Sequence, residues 1–273
     1  MIDYPFELDS DLLAESDKRI FDLAGQVRIS SCDYDGRKVW IKRYDVEKAR
    51  FGRRVHARIS GLLPLPFLRA APMRMPEDMV MQEVRKTYAF VQAGLPVAPI
   101  TAISGGSLML EDIGETLADK LKQLRDLDAI GHDNLLIQCG EALGIAHGAN
   151  LVHGRPHPRD MFIEGEKIGF FDFEEEPEAV MSLAQAQARD AWLLFFQISS
   201  LALDKQRTCP ATFTAWRRFI SLASLRSLQD LVSFFRFCVW PLRCAKPIWL
   251  GEDGKRMLQV MEFLVPHLGL KEK

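Results

Sequence analysis

LVHGRPHPRDMFIEGEKIGFFDFEEE, residues 151–176, is the stretch whose reading decides the fold. Its middle reads as a β-hairpin. Met161-Phe162-Ile163 and Ile168-Gly169-Phe170-Phe171 carry the aromatic and branched side chains of strands, and Glu164-Gly165-Glu166-Lys167 between them is a Gly-containing turn. A carboxylate stands on each side of the hairpin, Asp160 before it and Asp172 after it, and a loop opening His153-Gly154-Arg155 precedes both.

This order resembles the catalytic loop of kinase-type phosphotransferases. There a His-Gly-Asp or His-Arg-Asp places a carboxylate at the acceptor hydroxyl, an Asn five residues on reaches magnesium, and an Asp after a short hairpin grips metal and phosphates. Counting from His153, the base position falls on Arg155, the Asn position on Asp160 and the metal-binding Asp on Asp172. Two anionic metal ligands are therefore present and the base is not. A shifted register, with His157-Pro158-Arg159-Asp160 as the His-Arg-Asp, would make Asp160 the base. It requires an Asn where Gly165 stands and leaves too little chain for the hairpin, so the first register is preferred.

The chain has 273 residues, 48% of them hydrophobic, enough for a sizeable core in one large domain or two lobes. A formal net charge of -2 gives no global reason to expect a nucleic-acid partner. The five cysteines, Cys32, Cys139, Cys209, Cys238 and Cys244, lack the spacing of a zinc site or a disulfide framework, which fits a reducing compartment. The opening MIDYPFELDSDLLAESDKR has no basic or apolar leader region, and no uncharged apolar run reaches the ~18 residues of a membrane span. A cytoplasmic protein without a transmembrane segment is expected, with peripheral membrane association left open.

Outward from the loop, Val27 to Tyr44 reads as two strands around Asp33-Tyr34-Asp35-Gly36, and residues 45–76 mix basic side chains with a Pro- and Leu-rich loop. A helix is predicted over 77–93, stopped by Gly94 and Pro96, followed by strands at 97–101 and 107–111. From Thr116 the pattern turns helical, with predicted helices covering 135–147, 189–203, 211–225, 228–240 and 255–264. A β-rich first part with one main helix (1–111) and a helical second part carrying the loop (112–273) make a two-lobed α+β architecture.

Lys42 closes the strand Val39-Trp40-Ile41-Lys42, which matches the Val-Ala-Ile-Lys pattern whose amine holds nucleotide phosphates, and Glu83 on the following helix is its best partner. The turn at 33–36 stands in line as a phosphate-covering loop but has no G-x-G-x-x-G, and reads equally well as a plain hairpin. Residues 107–112 resemble an interlobe hinge whose backbone, around Glu111, would pair with an adenine edge between apolar Val39, Met109 and Leu110. Asp190 is an acid in an apolar helix, able to bond the backbone of the His153 loop or simply to sit at a surface. His157 is placed to titrate near neutrality beside the site, or shapes the loop with Pro158. Glu174, Glu175 and Glu176 read as a solvated turn before Pro177; alternatively one of them pairs with Arg155 or replaces the base.

Over roughly residues 25–200 the constellation is similar to bacterial small-molecule kinases of the protein-kinase-like superfamily, the aminoglycoside phosphotransferase relatives and the lipopolysaccharide core (Kdo/heptose) kinases. His153-Gly154 with His157-Pro158 looks like the family's H-G-D-x-H-P-x-N loop, and Gly94-Leu95-Pro96-Val97 like its helix exit turn. Residues 54–72 look closer to the lipopolysaccharide kinases than to eukaryotic protein kinases. The resemblance implies a protein-kinase-like fold with ATP and magnesium as cofactors. It also implies phosphates held by Lys42 and Glu83, an adenine edge met by the hinge backbone at Glu111, metal at Asp160 and Asp172, and a sugar or other small-molecule hydroxyl as acceptor. Arg155 departs from the family's Asp, Asp160 from its Asn, and Phe173-Glu174 from its Phe-Gly. A guanidinium cannot accept a proton but can stabilise charge on a transferring phosphoryl group. Three activities follow: an atypical ATP-dependent phosphotransferase, a pseudokinase that binds nucleotide or a partner, or AMP transfer from a nucleotide bound in another orientation.

Overall fold

The computed structural model describes residues 21, 27–46, 67, 74–244 and 251–270, with backbone alone for 237–244. The expectations for the amphipathic opening and for most of residues 45–76 lie outside the described residues.

Strands β1 (Ile29–Tyr34) and β2 (Arg37–Arg43) join through a two-residue turn in which Asp35 (φ 50°) and Gly36 (φ 73°) are both left-handed. That is the backbone a tight right-twisted hairpin requires, and Asp-Gly is the pair that adopts it at least cost. With β3 (Ile100–Ser104) and β4 (Ser107–Glu111) they form an antiparallel sheet of order β1-β2-β4-β3. Side chains alternate across β2, so Val39 and Ile41 pack with Met109 on one face while Lys42 and Tyr44 point to the other.

Helix α1 (Pro76–Gln92) starts with Pro at its first turn and Glu77 and Asp78 at its positive end, and is followed by the left-handed Gly94. Val80 and Val84 pack on Tyr44 and Leu108, the Lys42-bearing face of the sheet. Glu83 lies on the same side of the helix as Val80 and Thr87, all three buried, so sheet alternation and helix periodicity together bring Glu83 to Lys42.

Beyond Glu111 the chain is helical: α2 (Leu117–Leu127), α3 (Ala129–Gly148), α4 (Leu183–Leu201), α5 (Lys205–Arg217), α6 (Leu222–Cys244) and α7 (Glu252–His267). They enclose a core that includes Leu136, Leu143, Phe195, Trp216 and Leu264, and α1 contributes Phe90 to it. Gly140 and Gly144 let α3 approach α5 closely. A Cβ at Gly144 would stand 2.8 Å from the Trp216 carbonyl oxygen. The hairpin β5 (Met161–Glu164) and β6 (Lys167–Phe170) is inserted between α3 and α4, tied at Phe170 to Val97 and at Phe162 to Thr116. Sheet, helix, linking strand, helical bundle and inserted loop-hairpin make this a kinase-like α+β fold.

α3 starts at Ala129, ahead of the predicted 135, because Asp128 caps it, and the strand predicted over 97–101 lies at Ile100–Ser104, with Val97 in a single bridge to Phe170. Two further helices differ from their predicted bounds. α4 starts at Leu183, ahead of 189, because Ser182 and Gln185 form a reciprocal capping box and Ala-Gln repeats extend the helix without apolar periodicity. The helix predicted over 211–225 is two, broken where Ser221 accepts the Ser224 amide and starts α6. No Gly or Pro marks that break in the sequence. No helix among the described residues is long and apolar enough to cross a membrane.

Candidate functional site

The loop 153–160 is held from beneath. Asp190, fully buried in α4, accepts the amides of His153 (2.7 Å) and Gly154 (3.0 and 3.1 Å). Burial alone would raise the Asp190 carboxyl, but His147, and after it His153 and Lys86, hold it below the ordinary value. The His153 ring accepts the Arg155 amide at Nδ1 (3.4 Å), so its Nε2 carries the proton and donates to the Phe171 carbonyl (3.0 Å). Burial pushes the His153 pKa down, which makes it a neutral brace rather than a base. Gly154 has φ 108°, and a Cβ there would meet the Glu175 carbonyl oxygen at 2.3 Å. The loop and the segment after Asp172 therefore cross backbone to backbone, and only glycine fits.

Lys42, 5% exposed, donates to both oxygens of Glu83 (3.1 and 2.9 Å) and to Asp172, and stands 3.0 Å from Glu174 Oε1. Tyr44 donates its hydroxyl to Glu83 as well. Burial would lower the lysine pKa, but Glu83, Tyr44, Asp172 and Glu174 hold it well above the ordinary value, so Lys42 stays charged. Asp172 is a left-handed residue (φ 68°), an outlier for a non-glycine that the Lys42 contact and the packing of Phe173 on Phe90 (4.6 Å) fix in place. Burial would raise its carboxyl too; Lys42 outweighs that and holds it well below the usual carboxylate range.

Asp160 is 5% exposed and its Oδ2 has no hydrogen-bond partner. Burial, then the charge of Asp172, raises its carboxyl from 3.8 to about 7. Among the described residues the cation nearest to it is Arg159, whose Nε lies 3.4 Å from Oδ1 and whose side chain is 55% exposed, with Arg155 and Lys42 acting from farther off.

Arg155 extends over the same carboxylates. Its Nη2 is 3.8 Å from Asp172 Oδ2 and its Nε 3.7 Å from Glu175 Oε1, with the side chain 44% exposed. Glu175 is bonded more closely to Arg189 (2.6 Å). Four cations, Lys42, Arg28, Arg155 and Arg189, thus face four carboxylates, Glu83, Asp172, Glu174 and Glu175. Asp160 adds a fifth carboxylate with the half-exposed Arg159 at its Oδ1, and its unpartnered Oδ2 is the surplus acceptor of the group. Among the described residues no group of three metal-ligating side chains converges, but magnesium needs only one or two carboxylates alongside phosphate oxygens and water. The unpartnered Asp160 oxygen beside Asp172 fits that requirement.

Several expectations are revised by this geometry. The acidic run is not a solvated turn: Glu174 pairs with Lys42 and Arg28, Glu175 with Arg189 and Arg155, and Glu176 with Arg74 and Arg85. The turn at 33–36 does not cover Lys42. Lys42 pairs with Ile29 and Arg37 with Tyr34, which puts the turn about 17 Å away at 3.4 Å per residue. His157 does not titrate near neutrality; burial first, then Arg159, Arg155 and Arg256, push it down to about 4. At Glu111 the amide is taken by the Pro99 carbonyl (2.9 Å) and the side chain lies 3.6 Å from Arg37, while the Asp112 amide is taken by Lys38 (3.2 Å). These two amides are bonded within the end of the sheet.

Residues missed in the sequence are those of the clamp. Gln82 donates to the carbonyls of Phe173 (3.2 Å) and Glu174 (2.8 Å), and Lys86 to those of His153 (3.2 Å) and Glu175 (2.8 Å). Both are polar side chains bonding to backbone, which leaves no pattern to read.

No family model matches the chain. An uncharacterised protein from Haemophilus influenzae is 26% identical over 147 residues, 54% of this chain and 53% of its own length, so the chain spans about half of that relative. A MAP kinase structure from Leishmania major aligns with 95% of this chain and 92% of its own, at 16% identity and a TM-score of 0.38. The fold assignment rests on the strand register, the Lys42–Glu83 and Lys42–Asp172 contacts and the buried Asp190 brace.

Proposed function

We propose that the chain binds a magnesium nucleotide between Lys42, Asp160 and Asp172 and transfers its terminal phosphoryl group to a hydroxyl of a sugar or other small molecule. The observation that carries this reading is the surplus: a charged Lys42 aligned with Asp172, and beside them a buried Asp160 oxygen with no protein partner. Bound there, magnesium would neutralise phosphate charge and satisfy Asp160. Lys42, oriented by Glu83 and Tyr44, neutralises the phosphates from the sheet side. Arg155 stands at the acceptor side, half exposed and only loosely paired, where a guanidinium can stabilise charge on the transferring group. Loss of a base slows such a transfer without abolishing it, because in a loose transition state positioning and electrostatics dominate. Similarity to the lipopolysaccharide core kinases makes Kdo and heptose the first acceptors to assay.

The same Arg155 favours a second reading, a pseudokinase that binds nucleotide and transfers nothing, since a guanidinium stands at the base position. Thermal unfolding with magnesium ATP tests what the two share. Stabilisation is expected at saturating nucleotide, lost in Lys42→Met and Asp172→Asn. No stabilisation of the native chain or of Glu174→Gln would overturn the nucleotide site. Product analysis then separates phosphoryl transfer, AMP transfer and no turnover.

A further inference from the structure

The register of the first hairpin puts the Asp35-Gly36 turn at the far end of β2 from Lys42. Ile29 is the partner of Lys42, and Arg28, immediately before β1, lies opposite Arg43 at the Lys42 end of the sheet. Its carbonyl accepts the Arg43 amide (2.8 Å), which fixes its backbone at the Lys42 end of the sheet. Its guanidinium donates to Glu174 Oε1, the same oxygen that lies 3.0 Å from Lys42 Nζ. One carboxylate oxygen is therefore shared by two cations, and the Glu174 side chain is only 9% exposed. The backbone behind it is fixed, because Gln82 holds the Glu174 carbonyl at 2.8 Å.

Two cations converging on one buried oxygen is how a protein binds a phosphate oxygen. A guanidinium forks as readily onto phosphate as onto carboxylate. Glu174 lies in a run of three acids, and the two cations are what hold its side chain in the interior. We propose that Arg28 is a second phosphate-binding cation, and that Glu174 holds the phosphate's place at Arg28 and Lys42 until a nucleotide displaces it. This rests on the nucleotide reading above and adds to it the residue covering the phosphates and an internal competitor for them. The exchange is close to even in energy, since each cation trades one anionic oxygen for another. The released Glu174 turns to solvent, and Lys42 retains Glu83 and Asp172. Holding the closed state lowers apparent nucleotide affinity by the fraction of molecules in which Glu174 is already released.

Calorimetric titration with magnesium ATP, magnesium ADP and adenosine tests the exchange. Glu174→Gln should tighten ATP and ADP about tenfold, the worth of one charge-assisted hydrogen bond, and leave adenosine unchanged. Arg28→Gln should weaken both nucleotides, and by more in the Glu174→Gln background than in the native chain. If Glu174→Gln does not fold, as judged by circular dichroism, Glu174→Asp takes its place; its shorter arm does not reach both cations, and the same gain is expected. Nucleotide affinity that requires Lys42 yet is unmoved by either Glu174 substitution or by Arg28→Gln would overturn the proposal and leave the nucleotide site standing. A gain that extends to adenosine would also overturn it. Absence of binding in every variant would remove the nucleotide site and this proposal together.

Discussion

Arg155 stands where a kinase-like loop has its base, and its surroundings decide what its loss costs. Neither of its contacts, 3.8 Å to Asp172 and 3.7 Å to Glu175, is a tight hydrogen bond, and the side chain is 44% exposed. Glu175 keeps Arg189 and Asp172 keeps Lys42 when Arg155 is removed. Arg155→Ala should therefore destabilise the protein by less than about 1 kcal/mol in urea unfolding, as for other exposed pairs. Arg155→Asp, by contrast, would face two retained carboxylates and should lower stability more than Arg155→Ala. Asp160 is the opposite case, a buried charge with too few partners. Its pKa is raised in the fold, from 3.8 to about 7. The folded state thus favours the protonated form, and the stability Asp160 contributes is fully present below about pH 4 and lost as pH rises through about 7. Without magnesium, Asp160→Asn should be more stable than the native chain at pH 8 by on the order of 4 kcal/mol, and close to it at pH 4. Parallel pH profiles for the two proteins would contradict this account of Asp160.

At the scale of elements, α1 does more than supply Glu83. Along one side it presents Gln82, Glu83 and Lys86, three buried polar residues that reach respectively the strap after Asp172, the strand lysine, and the crossing of loop and strap. α1 therefore couples the sheet to both halves of the site. Lys86 is the residue on which the coupling depends most: its ammonium bonds two carbonyls of different segments and lies 3.2 Å from Glu178. Lys86→Met leaves those carbonyls and Glu178 without a cation inside the protein, and should cost about 3 kcal/mol. Hydrogen exchange should speed up in 153–155 and 173–178 together. Acceleration in one segment alone would mean that they are not clamped as a unit.

For the whole molecule, the sequence was legible where a pattern repeats and opaque where one bond decides. The hairpin at 161–170, the Asp-Gly turn, the strand ending in Lys42 and the helix carrying Glu83 all have periodic or turn signals, and the structure has these elements. The capped start of α4 and the break before α6 each hang on one serine, Ser182 and Ser221, which no periodicity announces. Within the site, charges with a motif position (Lys42, Glu83, Asp160, Asp172) could be named from sequence alone. Arg28, Gln82 and Lys86 could not, and Glu174 was named without its partners, because these roles come from strand register and from contacts between segments far apart in the chain. The central claim is that Lys42, Asp160 and Asp172 form one magnesium-nucleotide site, and a crystal structure with magnesium and a non-hydrolysable ATP analogue tests it most directly. Phosphate oxygens within hydrogen-bond reach of Lys42, and a metal ion bound by Asp160 Oδ2 and Asp172, are the predicted result. Crystals grown at saturating analogue that show the Lys42–Asp172 contact intact, with no phosphate or metal between Lys42, Asp160 and Asp172, would contradict it.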